Sequence, residues 1–142
     1  MRLFQPHILD YIQGYAKNKI VLHLTSFEGI QPLDVGVALS NKIVDYTKSS
    51  KLPLIADLTI EEIFNESTHV DEHYGKCLFI SNIGILMEPE LKLDLVKILE
   101  KHSKNHPLFV QWDGEIEGSC LYFLTREKGI KININELSHI AI

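Results

Sequence analysis

Two short apolar runs, Cys77-Leu78-Phe79-Ile80 and Leu108-Phe109-Val110-Gln111-Trp112, flank a stretch whose apolar residues recur at helical spacing. Runs this short and this apolar fit strands buried on both faces, as parallel sheets bury theirs. Between them Leu91, Leu95, Ile98 and Leu99 share one helical stripe, while Lys92, Asp94, Lys97, Glu100 and Lys101 mostly fall elsewhere. Glu88-Pro89-Glu90 reads as the start of that helix, because proline suits a first turn and acids suit the positive end of the helix dipole. The helix is expected to leave through His102 to His106, with Pro107 as its stop, and Asp113-Gly114 reads as a turn. Strand, helix and strand over Lys76 to Gly114 make a βαβ unit with parallel strands and a right-handed crossover.

The flanks supply further elements. A first helix is expected over Pro6 to Ala16, with Ile8, Leu9, Ile12 and Tyr15 on its apolar stripe and Asn18 near its end. Lys19 to Leu24 predicts the first core strand, and Thr25-Ser26-Phe27-Glu28-Gly29 leaves it as a polar loop. Leu33, Val35 and Val37 alternate like a second strand, followed by a helix capped by Ser40 that carries Ile43, Val44 and Tyr46; the alternative is one helix from Asp34 to Thr47. Pro53-Leu54-Ile55 reads as a connector into a short helix that opens at Asp57 or Thr59, with Glu62 in the capping-box position, and runs through Phe64. Asn65 to Gly75 reads as a polar loop. Ser119 to Thr125 predicts a third core strand reached by a tight hairpin, Ile130, Ile132 and Ile134 a half-exposed edge strand, and His139 to Ile142 a last strand.

Composition narrows the class. The 142 residues suit one domain, and 45% hydrophobic with 23% charged residues is ordinary for a soluble globular chain. A net charge of -5 disfavours unassisted nucleic-acid binding, which calls for a basic face. No stretch approaches the roughly 18 apolar residues of a membrane span, and Met1-Arg2-Leu3-Phe4 does not resemble a secretory signal, so a cytoplasmic location without membrane contact is expected. Cys77 and Cys120 lie in strand-like runs and read as reduced, buried thiols.

The chemical motifs are weak one by one. His69 and His73, and again His102 and His106, have the i, i+4 spacing that a helix could turn toward zinc, but neither pair has an evident third ligand, and no metal or cofactor is expected. His23 reads as a hydrogen-bonded core histidine, and Cys77 is too apolar in context for a nucleophile. No Gly-x-Ser-x-Gly elbow is present. Phe109, Trp112, Tyr122 and Phe123 read as core rather than as a base-stacking platform. A phosphate loop would follow the first strand with Gly-x-x-x-x-Gly-Lys-Ser/Thr; the Gly36 to Ile43 segment has Asn41 for the second glycine and Ile43 for the magnesium-contacting hydroxyl. Ligands of open α/β sheets bind at strand carboxyl ends, which here carry Ser81-Asn82 and Asp113-Gly114.

Val37-Ala-Leu-Ser-Asn-Lys-Ile43, Ser81-Asn-Ile-Gly-Ile-Leu-Met-Glu-Pro-Glu-Leu-Lys-Leu-Asp94, Ser103-Lys-Asn105, Val110-Gln-Trp-Asp-Gly114 and Leu121-Tyr122 resemble, in order and spacing, the small P-loop protein of type III bacteriophage-exclusion (BREX) systems. The resemblance spans the C-terminal three quarters of the chain. It implies a three-layer α/β fold, a mostly parallel P-loop-NTPase-like sheet flanked by helices, and ATP binding through a Walker A loop and a Walker B acid. This chain departs at both places: the phosphate loop after the first strand is absent, and the Walker B position falls on Ser81, which has no carboxylate to organise magnesium.

The expectation is therefore a non-catalytic component of an anti-phage defence system that binds other proteins of that system, with a homo-oligomer as a further option and nucleic acid reached only indirectly. The first candidate surface comprises Ser81, Asn82, Ser103, Lys104, Asn105, Asp113 and Gly114; the second is the edge strand at Ile130 to Ile134. One rival is a divergent ATPase that holds phosphate on backbone groups of Thr25, Ser26 and Gly29 and takes its acid from Asp34, Glu88 or Asp113. Another is a nucleic-acid-binding module built on Lys42, Lys48, Lys51, Lys104 and Arg126.

Overall fold

The structure, a computed structural model, describes residues 1–123 and 130–142. In chain order the first elements are α1 (Pro6–Gln13), β1 (Ile20–His23), β2 (Leu33–Asp34), α2 (Val35–Ile43), α3 (Leu52–Ser67), β3 (His69–Asp71) and β4 (Gly75–Ser81). They are followed by α4 (Leu95–His102), β5 (Leu108–Gln111), β6 (Glu115–Glu117), β7 (Cys120–Tyr122), β8 (Lys131–Asn133) and β9 (His139–Ala141). The main sheet runs β2-β4-β5-β1-β9 with every neighbouring pair parallel, and β3 adds an antiparallel strand beside β4. A separate three-stranded antiparallel sheet has the order β6-β7-β8.

Alternation along the central strands sorts the core into two faces. Ile20, Leu22, Leu78, Ile80, Leu108 and Val110 face the first, which α2, α3, α4 and the small sheet cover. Val21, Cys77, Phe79 and Phe109 face the second, covered by Ile8 of α1, Phe27 and Tyr74, with Met1, Leu3, Leu9 and Ile12 packed around them. The steps from β2 to β4 and from β4 to β5 run one way across the sheet, with their helices on the first face. The step from β1 to β2 runs the other way, and its Phe27 and Ile30 pack on the second. A constant crossover hand requires this division. No helix starts between β1 and β2, so the second face takes its cover from the N-terminal segment. The Tyr74 hydroxyl fastens that segment by donating to the Leu3 carbonyl at 2.6 Å and accepting from the Gln5 amide at 3.0 Å.

The β4-α4-β5 unit has the expected parallel strands, but its helix begins at Leu95 rather than at Glu88. Two 3₁₀ turns, Ile83–Met87 and Pro89–Leu91, precede it, and Lys92 at φ 50° breaks the helical path. Asp94 is the true cap, its side chain accepting from the Lys97 amide at 3.2 Å. The helix ends at His102, short of His106. The expected strand over Leu33, Val35 and Val37 is only two residues long, because Asp34 starts α2 by accepting from the Val37 amide at 3.0 Å. The alternative of one helix from Asp34 is the closer description. Pro53 to Ile55 belongs to α3, with Pro53 in its first turn, where a missing N–H costs nothing.

Asn65 to Gly75 is not a loop: α3 runs to Ser67 and β3 turns into β4 through Asp71, whose carboxylate accepts from the amides of His73 and Tyr74. α1 stops at Gln13, which leaves Tyr15 fully exposed rather than on an apolar stripe, and Asn18 is buried instead of capping it. β7 pairs in the small sheet instead of extending the core sheet, and the expected strand's end at Thr125 lies outside the described residues, as does Arg126. β8 is an edge strand, with Ile130 exposed but Ile134 completely buried.

Phe27 is 4% exposed and meets Phe79 and Phe109 edge-on at 6.2 and 5.8 Å, while those two rings stack at 4.4 Å. Truncation here removes the one ring that the β1–β2 connection buries in this cluster, leaving only Ile30 packed at its edge. Phe27→Ala is expected to cost about 3 to 5 kcal/mol of folding free energy, read from the urea midpoint. A loss under about 1 kcal/mol would show that the connection does not seal the second face.

Candidate functional site

At the carboxyl end of β4, Asn82 adopts a left-handed conformation at φ 51°, the region Asn tolerates better than most residues. Its amide group donates to Asp34 Oδ1 at 2.8 Å, and its carbonyl accepts from the Gly36 amide at 3.0 Å. A Cβ on Gly36 would stand 2.4 Å from Asn82 Nδ2, so a larger residue there would displace the Asn82 side chain from Asp34. Ser81 Oγ makes a long contact of 3.5 Å with the Leu33 carbonyl. Ser81 and Asn82 thus join β4 to β2 and to the start of α2. Asp34 meanwhile occupies the positive end of α2, which is where an external anion would sit.

At the exit of β5, Trp112 is buried and its indole N–H reaches the carbonyls of Glu115 and Tyr122 at 3.2 and 3.1 Å. A Cβ on Gly114 would lie 1.8 Å from the Tyr122 oxygen, so Asp113-Gly114 is a bend between β5 and β6 that passes close against β7, and the turn that pairs β6 with β7 is Gly118-Ser119. Asp113 and Glu88 are exposed.

The exit of β1 is closed by contacts within the chain. The Ser26 hydroxyl accepts from Gln111 Nε2 at 3.1 Å, the Ser26 carbonyl accepts from the Met1 ammonium at 3.2 Å, and the Thr25 carbonyl faces His23 Nδ1 at 2.9 Å. A turn closed by the Ile30 amide on the Phe27 carbonyl places Gly29 at φ 77°. The loop whose Thr25, Ser26 and Gly29 amides would face phosphate leads to no helix start, so it lacks the helix N-terminus that such a cradle uses. The Gly36 to Lys42 segment lies inside α2, with Lys42 paired to Glu62 at 2.8 Å.

The remaining surface residues sit at the other end of the sheet. Ser103, completely buried, donates to the Leu99 carbonyl at 2.6 Å and accepts from Asn18 Nδ2 at 3.1 Å; Asn18 also reaches the Glu100 carbonyl and Ser138. Ser103 is thus part of the frame. Lys104 pairs with Glu100 at 3.2 Å, and Asn105 is exposed. The seven residues of the first candidate surface form two groups separated by the length of the strands: Ser81, Asn82, Asp113 and Gly114 at the carboxyl ends, Ser103, Lys104 and Asn105 at the amino ends.

Among the described residues no group of three or more His, Cys, Asp and Glu is placed to hold a metal ion. His69 stacks on Phe79 and His73 contacts Phe4 and Glu72, while His102 sits against Phe64 and 3.3 Å from Glu61. Burial, with a smaller contribution from Asp71, pushes the Cys77 thiol up to about 12, which keeps it protonated and unreactive. No helix among the described residues is long and apolar enough to cross a membrane.

His23 carries a feature that strand periodicity could not reveal. It is 3% exposed, and because Nδ1 must donate to the Thr25 carbonyl, Nε2 is left as an acceptor with no partner among the described residues. The only advance signal is a histidine inside an apolar strand. Comparison with protein-family models, with curated proteins and with solved structures finds no match for this chain.

Burial lowers the pKa of both His23 and His102, and for His102 the Glu61 carboxylate opposes that effect. Each is harder to protonate folded than unfolded, so the unfolded chain binds more protons once the pH drops below the ordinary histidine value of 6.5. Stability is expected to be flat above about pH 7 and to fall as the pH goes from 6.5 toward 5, with a shallower fall in His23→Leu. Thermal midpoints of both proteins across that range check this; identical slopes would refute the role of His23.

Proposed function

We propose that this chain is a non-catalytic component of a BREX-like anti-phage defence system and works by binding other proteins of that system. The ordered motifs from Val37 to Tyr122 support the system, and the parallel sheet with helices packed on both faces is compatible with the P-loop-NTPase-like frame they imply. In that frame β1 leads to the place of the phosphate loop and β4 to the place of the Walker B acid. The observation that carries the non-catalytic reading is the fate of the two places where phosphate would be cradled. β1 leads into a loop that buries Phe27 and starts no helix, and the first amides of α2 are taken by Asp34 and the Asn82 carbonyl. A phosphoryl group draws its stabilisation from such amides, from a lysine and from magnesium held by an acid.

The nucleic-acid reading is weaker on a specific observation: Lys42 and Lys104 are engaged by Glu62 and Glu100, which leaves Lys48 and Lys51 of that set among the described residues. Co-expression with the proteins encoded beside it tests the proposal. The expected result is a complex that survives size-exclusion chromatography at physiological salt, together with loss of phage restriction when this chain is deleted. Absence of any complex and unchanged phage plating would refute it.

A further inference from the structure

Between α3, the start of β4 and the exit of α4 lies a cleft of about 270 Å³, at the amino end of the sheet. Glu61, Lys101 and His102 line part of it, and their charges are matched: Glu61 Oε1 takes the Lys101 ammonium and Oε2 faces His102 Nε2 at 3.3 Å. His102 is 8% exposed, with its ring edge-on to Phe64, so this part of the lining is anchored in the core. The rest consists of Asn65, Lys76, Asn105 and His106. Asn65, Lys76 and Asn105 are exposed, and their side chains make no hydrogen bond or ion pair among the described residues; His106 has only a 3.3 Å contact of Nδ1 with the Pro107 carbonyl. Of the last carbonyls of α4, those of Leu99 and Glu100 accept from Ser103 and Asn18. The cleft therefore combines one uncompensated positive charge, two free carboxamides and an imidazole, on a chain whose net charge is -5.

We infer that this cleft binds a single oxyanion, the carboxylate or phosphate ester of a side chain presented by a partner protein. Lys76 supplies the charge; Asn65, Asn105 and His106 supply hydrogen bonds to the oxygens, and charge-assisted bonds of this type are the strong ones. The volume is below the roughly 300 to 1,000 Å³ of sites that enclose drug-sized ligands, which fits one oxyanion rather than a whole nucleotide. The inference deepens the binding role proposed above and rests on it only for the source of the anion.

The test is a ¹H–¹⁵N NMR titration of the full chain, at physiological salt, with inorganic phosphate and separately with acetate. Saturable shifts of the Lys76 and Asn105 amides and the Asn65 side-chain amide are expected, with affinity lowered about fivefold or more by Lys76→Gln, the loss of roughly 1 kcal/mol. Lys97→Gln, which changes an exposed lysine of α4 outside the cleft lining, should leave the affinity unchanged. Saturation by phosphate alone identifies a phosphoryl source, and saturation by acetate a carboxylate. No saturation by either anion, or equal affinity in parent and Lys76→Gln, overturns the inference. Because Lys76 is exposed, the variant is expected to keep the parent's spectral dispersion, and His106→Gln gives a second, independent loss. Saturation by a chain that forms no complex with neighbouring defence proteins would leave the cleft standing and remove only the defence role.

Discussion

A parallel sheet needs both faces dry, and that requirement governs this chain more than any single contact. The first face is easily served, because α2, α3, α4 and the small β6-β7-β8 sheet all pack on it. The second face has no crossover helix. It is sealed by α1, the residues before it, Tyr74 and Phe27, so the N-terminus and the β1–β2 connection become part of the core. The bonds from Met1 to Ser26 and from Glu28 to Met1 follow from this: a short cover holds only if its ends are tied.

The same requirement acts on the carboxyl ends of the strands, where an open α/β sheet usually presents a ligand site. Sending the β1–β2 connection across the second face places Phe27 and the buried His23 at the exit of β1. It also brings the chain into β2 beside the end of β4, where Asp34, Gly36 and Asn82 join. Those three residues are engaged with one another, while His23 Nε2 has no partner among the described residues. At the amino ends Asn65, Lys76 and Asn105 present exposed side chains without a hydrogen bond or ion pair among the described residues.

Much of this arrangement is legible in the residues, and the failures have physical causes. Cys77 to Ile80 and Leu108 to Gln111 declare themselves because strands buried on both faces leave no room for polar residues. The apolar stripe of α4 was clear, but its start was not: Glu88-Pro89-Glu90 opens a 3₁₀ turn, and Lys92 in the left-handed region moves the cap to Asp94. Pro53-Leu54-Ile55 reads as a connector because proline both ends and begins helices, and only packing of Leu52, Ala56 and Ile60 chooses between these. Alternation at Leu33, Val35 and Val37 suggested a strand, yet one side-chain bond from Asp34 outweighs it. Within the site, the strand exits could be located, but not the fact that Ser103 serves the frame while its neighbour Asn105 faces solvent. That division depends on Asn18, more than eighty residues away in sequence.

If the sheet has exchanged a phosphate cradle for internal contacts, the chain should have no measurable affinity for nucleotide, and calorimetric titration with magnesium and ATP tests this most directly. No saturable heat at protein concentrations able to detect micromolar binding is the predicted result. Saturable heat that is lost on substituting Asp34 or Asn82 would contradict it, because the carboxyl end of the sheet would then be an open nucleotide site.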